Sequence, residues 1–255
     1  MESSFVVGLA ALLGAVIGSF LTLATYRLPR GEKIGMTRSR CPHCHTALGL
    51  ADLFPILSWL VQRGRCRHCA ARVGLRYPLT ELATALGTAA AAYRYGVTPE
   101  ALAIMGLWWC IVALVITDLE RTIILDEVQL ALVAFGVLYH GALATAWTQV
   151  IGAGVVGLAI GLVLKYGFLY LRHKDGLGLG DVKLLFGAGI WLASSVAFIP
   201  FLFFAGVLGV ACGIVWRALG RGAQFPFGPA LAVSLLVSVV WPEAVAQFWH
   251  LYGVR

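Results

Sequence analysis

Two aspartates stand where apolar segments of this chain begin or end. Asp118 closes the run LWWCIVALVITD, and Asp181 directly precedes the run VKLLFGAGIWL. Charged residues make up only 12% of the sequence, and an acidic residue inside or beside a membrane segment marks a functional site by default. Two carboxylates in contact share one proton, so that one can act as a base towards water and the other as an acid towards a carbonyl group. The pair therefore offers the chemistry of an aspartic protease.

Two other interpretations of the aspartates stay open at this point. Each could be a helix-end residue at the membrane surface without a catalytic role. Alternatively, intramembrane acids carry protons in ion-coupled transporters, and this chain could be such a transporter with a structural zinc loop. Transporters usually contain internal repeats with interrupted helices in matching positions, and the sequence shows no convincing repeat.

The glycines before Asp181 raise a separate question. Their spacing in GLGLGDVKLL does not match either common phosphate-binding pattern, because Asp181 and Lys183 fall where a third glycine would be needed. Glycine carries no side chain, so Gly178 and Gly180 would let the backbone of an extended peptide approach the acid closely.

Four cysteines in the only large loop form two C-x-x-C pairs separated by 21 residues. They are Cys41, Cys44, Cys66 and Cys69. Four thiolates at this spacing are typical of a tetrahedral Zn²⁺ site, which is structural because no position is left for water or substrate. Disulfides or a redox site are the alternatives, and a reducing cytosol disfavours disulfides. A Cys₃His set is also possible, although the neighbouring histidines are expected to face solvent. These are His43, His45 and His68.

Membrane helices must position these residues. The chain has 255 residues, of which 60% are hydrophobic, and a mean hydropathy of +0.87, whereas soluble domains are about 45–50% apolar. The sequence predicts an all-α polytopic membrane protein with about eight transmembrane helices, each of about 20 residues, and a small cytosolic zinc-binding loop domain. The spans are expected at 5–26, 79–95, 101–117, 123–141, 149–171, 182–196, 199–219 and 228–249. The segment 182–219 would be about 57 Å long as one helix, so two helices are expected there, with Pro200 in the first turn of the second.

The distribution of basic residues predicts the orientation. Loops 27–78, 118–122, 172–183 and 217–227 hold sixteen of the nineteen Lys and Arg residues, and such loops face the cytosol. This arrangement places the N-terminus outside and both aspartates at the cytosolic edge of the bilayer. The net charge of +7 is explained by anionic lipid, so nucleic acid is not expected as a partner.

Three regions follow from these spans: a first transmembrane helix at 1–26, the cytosolic Cys₄ loop domain at 27–78, and a seven-helix transmembrane catalytic region at 79–255. Glu81 lies a few residues into the second span. An acid in that place is either functional or paired with an arginine of the loop.

Several motifs in this order resemble the type IV prepilin leader peptidases. GLGLGDVKLLFGAGIWL resembles the family's G-x-G-D signature, and TDLERTIILDEV resembles the segment with the first catalytic aspartate. The paired CPHC and CRHC, GSFLTLATYRLP, RYPLTELATAL and FPFGPALA resemble the remaining family motifs. Two positions depart from the pattern, since Thr22 stands where Asn is common and Leu125 where Pro is common before the acid.

The resemblance implies an enzyme of the bacterial cytoplasmic (inner) membrane. It would remove the short basic leader from prepilins or pseudopilins at the cytosolic face, with Asp118 and Asp181 as the catalytic pair. Members with the cysteine loop also methylate the new N-terminal residue from S-adenosylmethionine, although the sequence does not identify that binding site. The residues expected to support the active site are Gly178, Gly180, Lys183, Glu81 and Pro229. The sequence does not indicate the oligomeric state or the particular substrates.

Overall fold

The computed structural model describes residues 2–35, 38–173, 176–221 and 225–243. These residues are mostly helical, and the only β-structure among them is two isolated bridges. The α-helices are α1 (Glu2–Arg27), α2 (Leu57–Val61), α3 (Arg76–Tyr95), α4 (Pro99–Arg121), α5 (Asp126–Ala142), α6 (Trp147–Arg172), α7 (Leu179–Leu192), α8 (Phe198–Ala218) and α9 (Gly228–Val240). The all-α prediction is confirmed.

Within the described part of the chain, four segments are long and apolar enough to cross a membrane, namely Ser4–Arg30, Pro99–Arg121, Trp147–Leu171 and Phe198–Ala218. The four other long helices begin near predicted spans, but α7 has 14 residues and α9 has 13. At 1.5 Å per residue these two helices are only about 20 Å long, against a hydrocarbon core of about 30 Å. The presence of several membrane-capable helices is confirmed, whereas the number of eight spans stays a prediction.

The helix boundaries between 179 and 218 explain how the chain passes from Asp181 to the next long helix. Helix α7 ends before Ala193, which has a left-handed backbone with φ +47°, and α8 begins at Phe198. The two predicted helices are therefore present, and Pro200 lies in the first turn of α8 as expected. The last predicted span runs to residue 249, but residues 244–255 lie outside the described part of the chain.

The chain divides into two compact units, Met1–Ala113 and Leu114–Arg255. In the first unit, α1 packs closely along α3. A Cβ atom at Gly14 would lie 2.6 Å from the carbonyl oxygen of Thr84, so glycine is what permits this approach. Thr22 is also buried in this contact, and its hydroxyl donates to the Gly18 carbonyl oxygen at 2.8 Å.

In the second unit, α7 packs against α5, α6 and α9. Most residues of α7 after Asp181 are buried. The largest fully buried side chains of this unit come from α5, α7, α8 and α9, and they are Leu132, Leu184, Leu185, Trp191, Phe198, Phe201, Leu231 and Leu235. A short helix surrounded in this way holds its first turn, which contains Asp181, in a fixed place relative to its neighbours.

Candidate active site

Asp118 lies in the last turn of α4, in the second unit. Its surface is only 5% exposed, so the carboxylate needs a hydrogen-bond donor inside the protein. The backbone N–H of Gly228 donates to Asp118 Oδ2 at 2.9 Å. A hydrogen bond from an N–H group to a carboxylate is among the stronger kinds, and this one fixes the orientation of the side chain.

Asp181 is the third residue of α7 and is partly buried. The N–H of Gly178 donates to Asp181 Oδ2 at 3.3 Å, so the aspartate caps the N-terminus of its own helix, where a negative charge is favourable. Asp118 acts electrostatically on this carboxylate. The neighbour of Asp181 and the donor to Asp118 both lie beside Ile124, whose Cδ1 would lie 3.5 Å from a Cβ added at Gly180 and 3.2 Å from one added at Gly228. The structure thus brings together the two acids that the sequence singled out.

Gly228 is the site residue that sequence reasoning missed. A Cβ atom at this position would lie 2.6 Å from Asp118 Oδ2 and 3.2 Å from Ile124 Cδ1. Pro229 follows it in the first turn of α9, where a proline is well tolerated because the first N–H groups have no helical partner. The signal was present in FPFGPALA as a glycine before a helix-opening proline, although the sequence does not indicate its partner 110 residues away.

The two glycines of the G-x-G-D segment have different surroundings. Gly178 is exposed, and the nearest atom to an added Cβ would be Asp181 Oδ2 at 3.3 Å. Gly180 is already helical, and its added Cβ would lie 3.0 Å from the Cβ of Ile124. The expectation that both glycines leave room for a peptide stays a prediction. For Gly180 the structure gives another reason, which is the close packing of α7 against Ile124.

Two other predicted support residues have partners of their own. Lys183 Nζ lies 2.6 Å from Asp126 Oδ1, and both side chains are more than half exposed, so this ion pair contributes little to stability. Glu81 lies in the first unit, is 7% exposed, and its Oε2 accepts a hydrogen bond from the N–H of Ile56 at 2.7 Å. The contact joins α3 to the start of α2 in the cysteine loop.

The four cysteines form one cluster in the first unit. Their sulfur atoms all lie within 4.8 Å of one another, and those of Cys41 and Cys69 are 3.9 Å apart. Zn–S bonds of about 2.3 Å in a tetrahedron require sulfur separations of about 3.8 Å. The donor set therefore fits a metal ion, with four thiolates and no histidine among the clustered ligands.

Two matching turns build this cluster. In the first turn, the N–H of Cys41 donates to the carbonyl oxygen of Thr46, and the N–H of His45 donates to the carbonyl oxygen of Cys41. In the second turn, the N–H of Cys66 donates to the carbonyl oxygen of Ala71, and the N–H of Ala70 donates to the carbonyl oxygen of Cys66. His45 and Ala70 occupy equivalent left-handed positions, with φ of 55° and 58°. Each turn thus presents both of its thiols to one point, and the exposed side chain of His45 points to solvent, as expected.

The surroundings of the cluster shift the pKa values of two of its thiols in opposite directions. The side chain and the backbone of Thr46 lower the pKa of Cys44 to about 6. For Cys69 a backbone hydrogen bond from Ala71 acts in the same direction, but partial desolvation of the sulfur and the neighbouring cysteines raise the pKa to about 11. Four crowded thiols do not all ionise by themselves, whereas a bound cation would stabilise all four thiolates together.

The fold and these two sites define a class: a helical membrane protein with a Cys₄ metal site and a pair of carboxylates at helix ends. Residues 12–95 match the model of the bacterial peptidase A24 N-terminal domain, and residues 104–214 match that of the type IV leader peptidase family. No solved structure gives a significant match.

Curated relatives cover nearly the whole chain. Proteins named prepilin leader peptidase/N-methyltransferase are 32% identical in Pseudomonas putida, over 96% of this chain and 94% of the relative. The relative from Aeromonas hydrophila is 33% identical over 95% of this chain and 93% of its own length. The relative from Neisseria gonorrhoeae is 31% identical over 99% of this chain and 98% of its own length. The chain belongs to the type IV leader peptidase family. The resemblance seen in the sequence is confirmed.

Proposed function

We propose that this protein is an aspartic endopeptidase that removes the short basic leader from type IV prepilins or pseudopilins. The observation that carries the proposal is the interacting pair of Asp118 and Asp181, each at a helix end and each with a backbone N–H donor. Membership of the leader peptidase family and the names of its relatives support the same substrate class. The basic loops favour cleavage at the cytosolic face of the inner membrane.

The pair performs the proton transfers of peptide hydrolysis in two steps. One carboxylate takes a proton from water as the oxygen attacks the scissile carbonyl carbon, and the other gives its proton to the carbonyl oxygen. The first then gives its proton to the leaving amide nitrogen as the C–N bond breaks, and the second takes a proton back from the tetrahedral intermediate, so the pair returns to its starting state. The N–H of Gly228 holds Asp118 throughout, since it belongs to the backbone of α9 and not to a mobile side chain. A preorganised donor of this kind needs no rearrangement during the reaction.

The test uses the purified protein and a synthetic prepilin N-terminal peptide, with the products identified by mass. Asp118→Asn and Asp181→Asn should each abolish release of the leader while the proteins still insert and fold. Glu127→Gln is the matched control, because it makes the same acid-to-amide change on an exposed residue of α5. Substantial cleavage by either aspartate variant would refute the assignment, and a transporter would release no leader at all.

A second activity, N-methylation of the newly exposed residue from S-adenosylmethionine, is favoured by the full names of the relatives. The nucleophile is a neutral N-terminal amine, whose ordinary pKa is about 7.7–8.0, so modest desolvation is enough to activate it. Attack by an amine does not need the water-activating pair. We therefore expect both Asp→Asn proteins to methylate a peptide supplied already cleaved, with Phe at its N-terminus.

Transfer of a labelled methyl group to the pre-cut peptide measures this activity. If both Asp118→Asn and Asp181→Asn lose methyl transfer together with cleavage, the two reactions share one site and the proposed separation is wrong. If the unaltered protein cleaves but transfers no label, the second activity is absent.

We also propose that the ion of the Cys₄ cluster is Zn²⁺ with a structural role. Thiolates are preferred ligands of zinc, and four of them leave no open coordination position for catalysis. The ion would hold the two turns of the loop together through Cys41, Cys44, Cys66 and Cys69, while hydrolysis is assigned to the carboxylate pair alone.

A further inference from the structure

One polar side chain in the second unit lies beside the G-x-G-D turn and is used by none of the proposals above. Gln129, in the second turn of α5, is only 7% exposed. Its Nε2 donates to the carbonyl oxygen of Gly180 at 2.9 Å. Because a carbonyl oxygen can only accept, the amide nitrogen must face Gly180 and the amide oxygen must face away from it.

The other end of this amide has no partner. Gln129 Oε1 is buried and has no hydrogen-bond donor within reach among the described residues. A buried acceptor without a donor costs stability, whereas an apolar side chain of the same length would avoid that cost. The glutamine is therefore a poor choice for packing alone, and its contact with Gly180 is the feature that distinguishes it from a methionine.

The buried face of α5 runs along α7 and has a polar contact near each end. Gln129 and His140 both lie on this face. Near the far end, the Nε2 atom of His140 lies 3.0 Å from the carbonyl oxygen of Trp191. The Nε1–H of Trp191 donates in turn to the carbonyl oxygen of Leu132 at 2.8 Å. Near the end that carries Asp181, Gln129 makes the corresponding contact with the backbone of α7. Close packing restricts α7 as a whole, and this directional hydrogen bond adds a specific restraint at its first turn.

Ile124 completes the arrangement from the turn before α5. Its Cδ1 atom would lie 3.5 Å from a Cβ added at Gly180 and 3.2 Å from one added at Gly228. The backbone that carries Asp181 and the backbone that holds Asp118 therefore rest on the same side chain. A shift of Gly180 away from Ile124 would change the separation of the two carboxylates directly.

We propose that Gln129 is a positioning residue of the peptidase, which clamps the Gly180 carbonyl and thereby sets the separation of Asp181 from Asp118. The inference rests on the proposed peptidase function. It assigns the two acids separate supports: Gly228 for Asp118, and Gln129, acting through Gly180, for Asp181.

The test is Gln129→Met, which keeps the length of the side chain and removes both amide ends. We expect kcat for the prepilin peptide to fall about 10- to 100-fold, as for a small misplacement of a catalytic group, with KM within about twofold of the unaltered protein. The thermal midpoint should stay the same or rise, because the orphaned oxygen is gone. Leu130→Met is the control, since Leu130 is the next residue of α5 and is 73% exposed.

Hydrogen exchange supplies a readout that does not depend on cleavage. Loss of the clamp should raise exchange at the start of α7, in 179–185, and leave α8 unchanged. An unchanged kcat, unchanged exchange, or a thermal midpoint that falls in parallel with kcat would overturn the proposal. If the unaltered protein does not cleave the peptide, the peptidase proposal has failed, and exchange in the Gln129→Met protein still decides whether the clamp exists.

Discussion

Alanine at position 228 should disable the carboxylate pair without altering either acid. The Cβ atom of Gly228→Ala would lie 2.6 Å from Asp118 Oδ2. Non-bonded heavy atoms attract at about 3.5 Å, so the carboxylate or α9 has to move by roughly 1 Å. Backbone strain does not contribute, because Gly228 is not among the described glycines with positive φ.

Two estimates of the effect on cleavage agree. A misplacement of about 1 Å can cost about 100-fold in rate. Loss of a hydrogen bond to a charged group costs about 1.5–3 kcal/mol, which corresponds to about 10- to 150-fold when each 1.36 kcal/mol is tenfold. We therefore expect kcat of Gly228→Ala to fall by about two orders of magnitude, with a small change in KM because the substrate-binding surface is not altered.

The assay is steady-state cleavage of the prepilin peptide, with thermal unfolding measured in the same detergent. Gly206→Ala is the control: it makes the same change in α8, where an added Cβ has no atom within 4 Å. Near-normal turnover of Gly228→Ala would refute the geometry of the Asp118 contact. A similar loss in Gly206→Ala would show that the effect is not specific to the site.

Three further predictions concern the residues around the two sites. Cys66→Ser should lower the zinc content of the protein, measured by elemental analysis. Cys212 lies on α8 outside the cluster, so Cys212→Ser should leave the zinc content unchanged. Equal zinc in both variants would contradict the Cys₄ assignment. Glu81→Ala should increase hydrogen exchange at the Ile56 amide more than Glu81→Gln does, because the glutamine keeps an acceptor. The loss of the hydrogen bond between Ile56 and residue 81 costs about 1–3 kcal/mol. Equal exchange in the two variants would argue against the contact. Lys183→Met should change kcat by less than about fivefold, since an exposed ion pair contributes at most about 1 kcal/mol; a larger loss would assign Lys183 a role in catalysis.

The sequence could single out the two acids as candidates because each stands at the end of an apolar segment. Asp118 and Asp181 each interrupt an apolar pattern at a helix end, and a helix end sets the depth of a residue in the membrane. The four cysteines were predictable for a similar reason, since metal ligands have local spacing. Both predictions use the residues next to each aspartate or within each cysteine pair, so they do not require knowledge of how the helices pack.

The supporting residues could not be predicted because they act over long separations. Gly228 and Asp118 are 110 residues apart, and Gln129 and Gly180 are 51 apart. A glycine before a proline and a single glutamine in an apolar helix have many ordinary explanations. Their meaning depends on which helices are neighbours, and the hydrophobic periodicity of a membrane segment contains little of that information, because lipid and protein neighbours are equally apolar.

The cysteine loop contains almost no buried residues, so the proposed metal ion and the buried acid Glu81 would both help to hold it. Among the described residues between 28 and 75, only Cys41, Gly64 and Cys66 are buried, so the loop has almost no apolar core of its own. Apolar burial is the main term that offsets the entropy of ordering a chain, and here it is nearly absent. A bound ion would supply that cohesion within the loop, while the hydrogen bond from Ile56 to Glu81 joins the loop to α3. Removal of the ion should therefore disorder the loop and leave the helices of the second unit, including the carboxylate pair, folded.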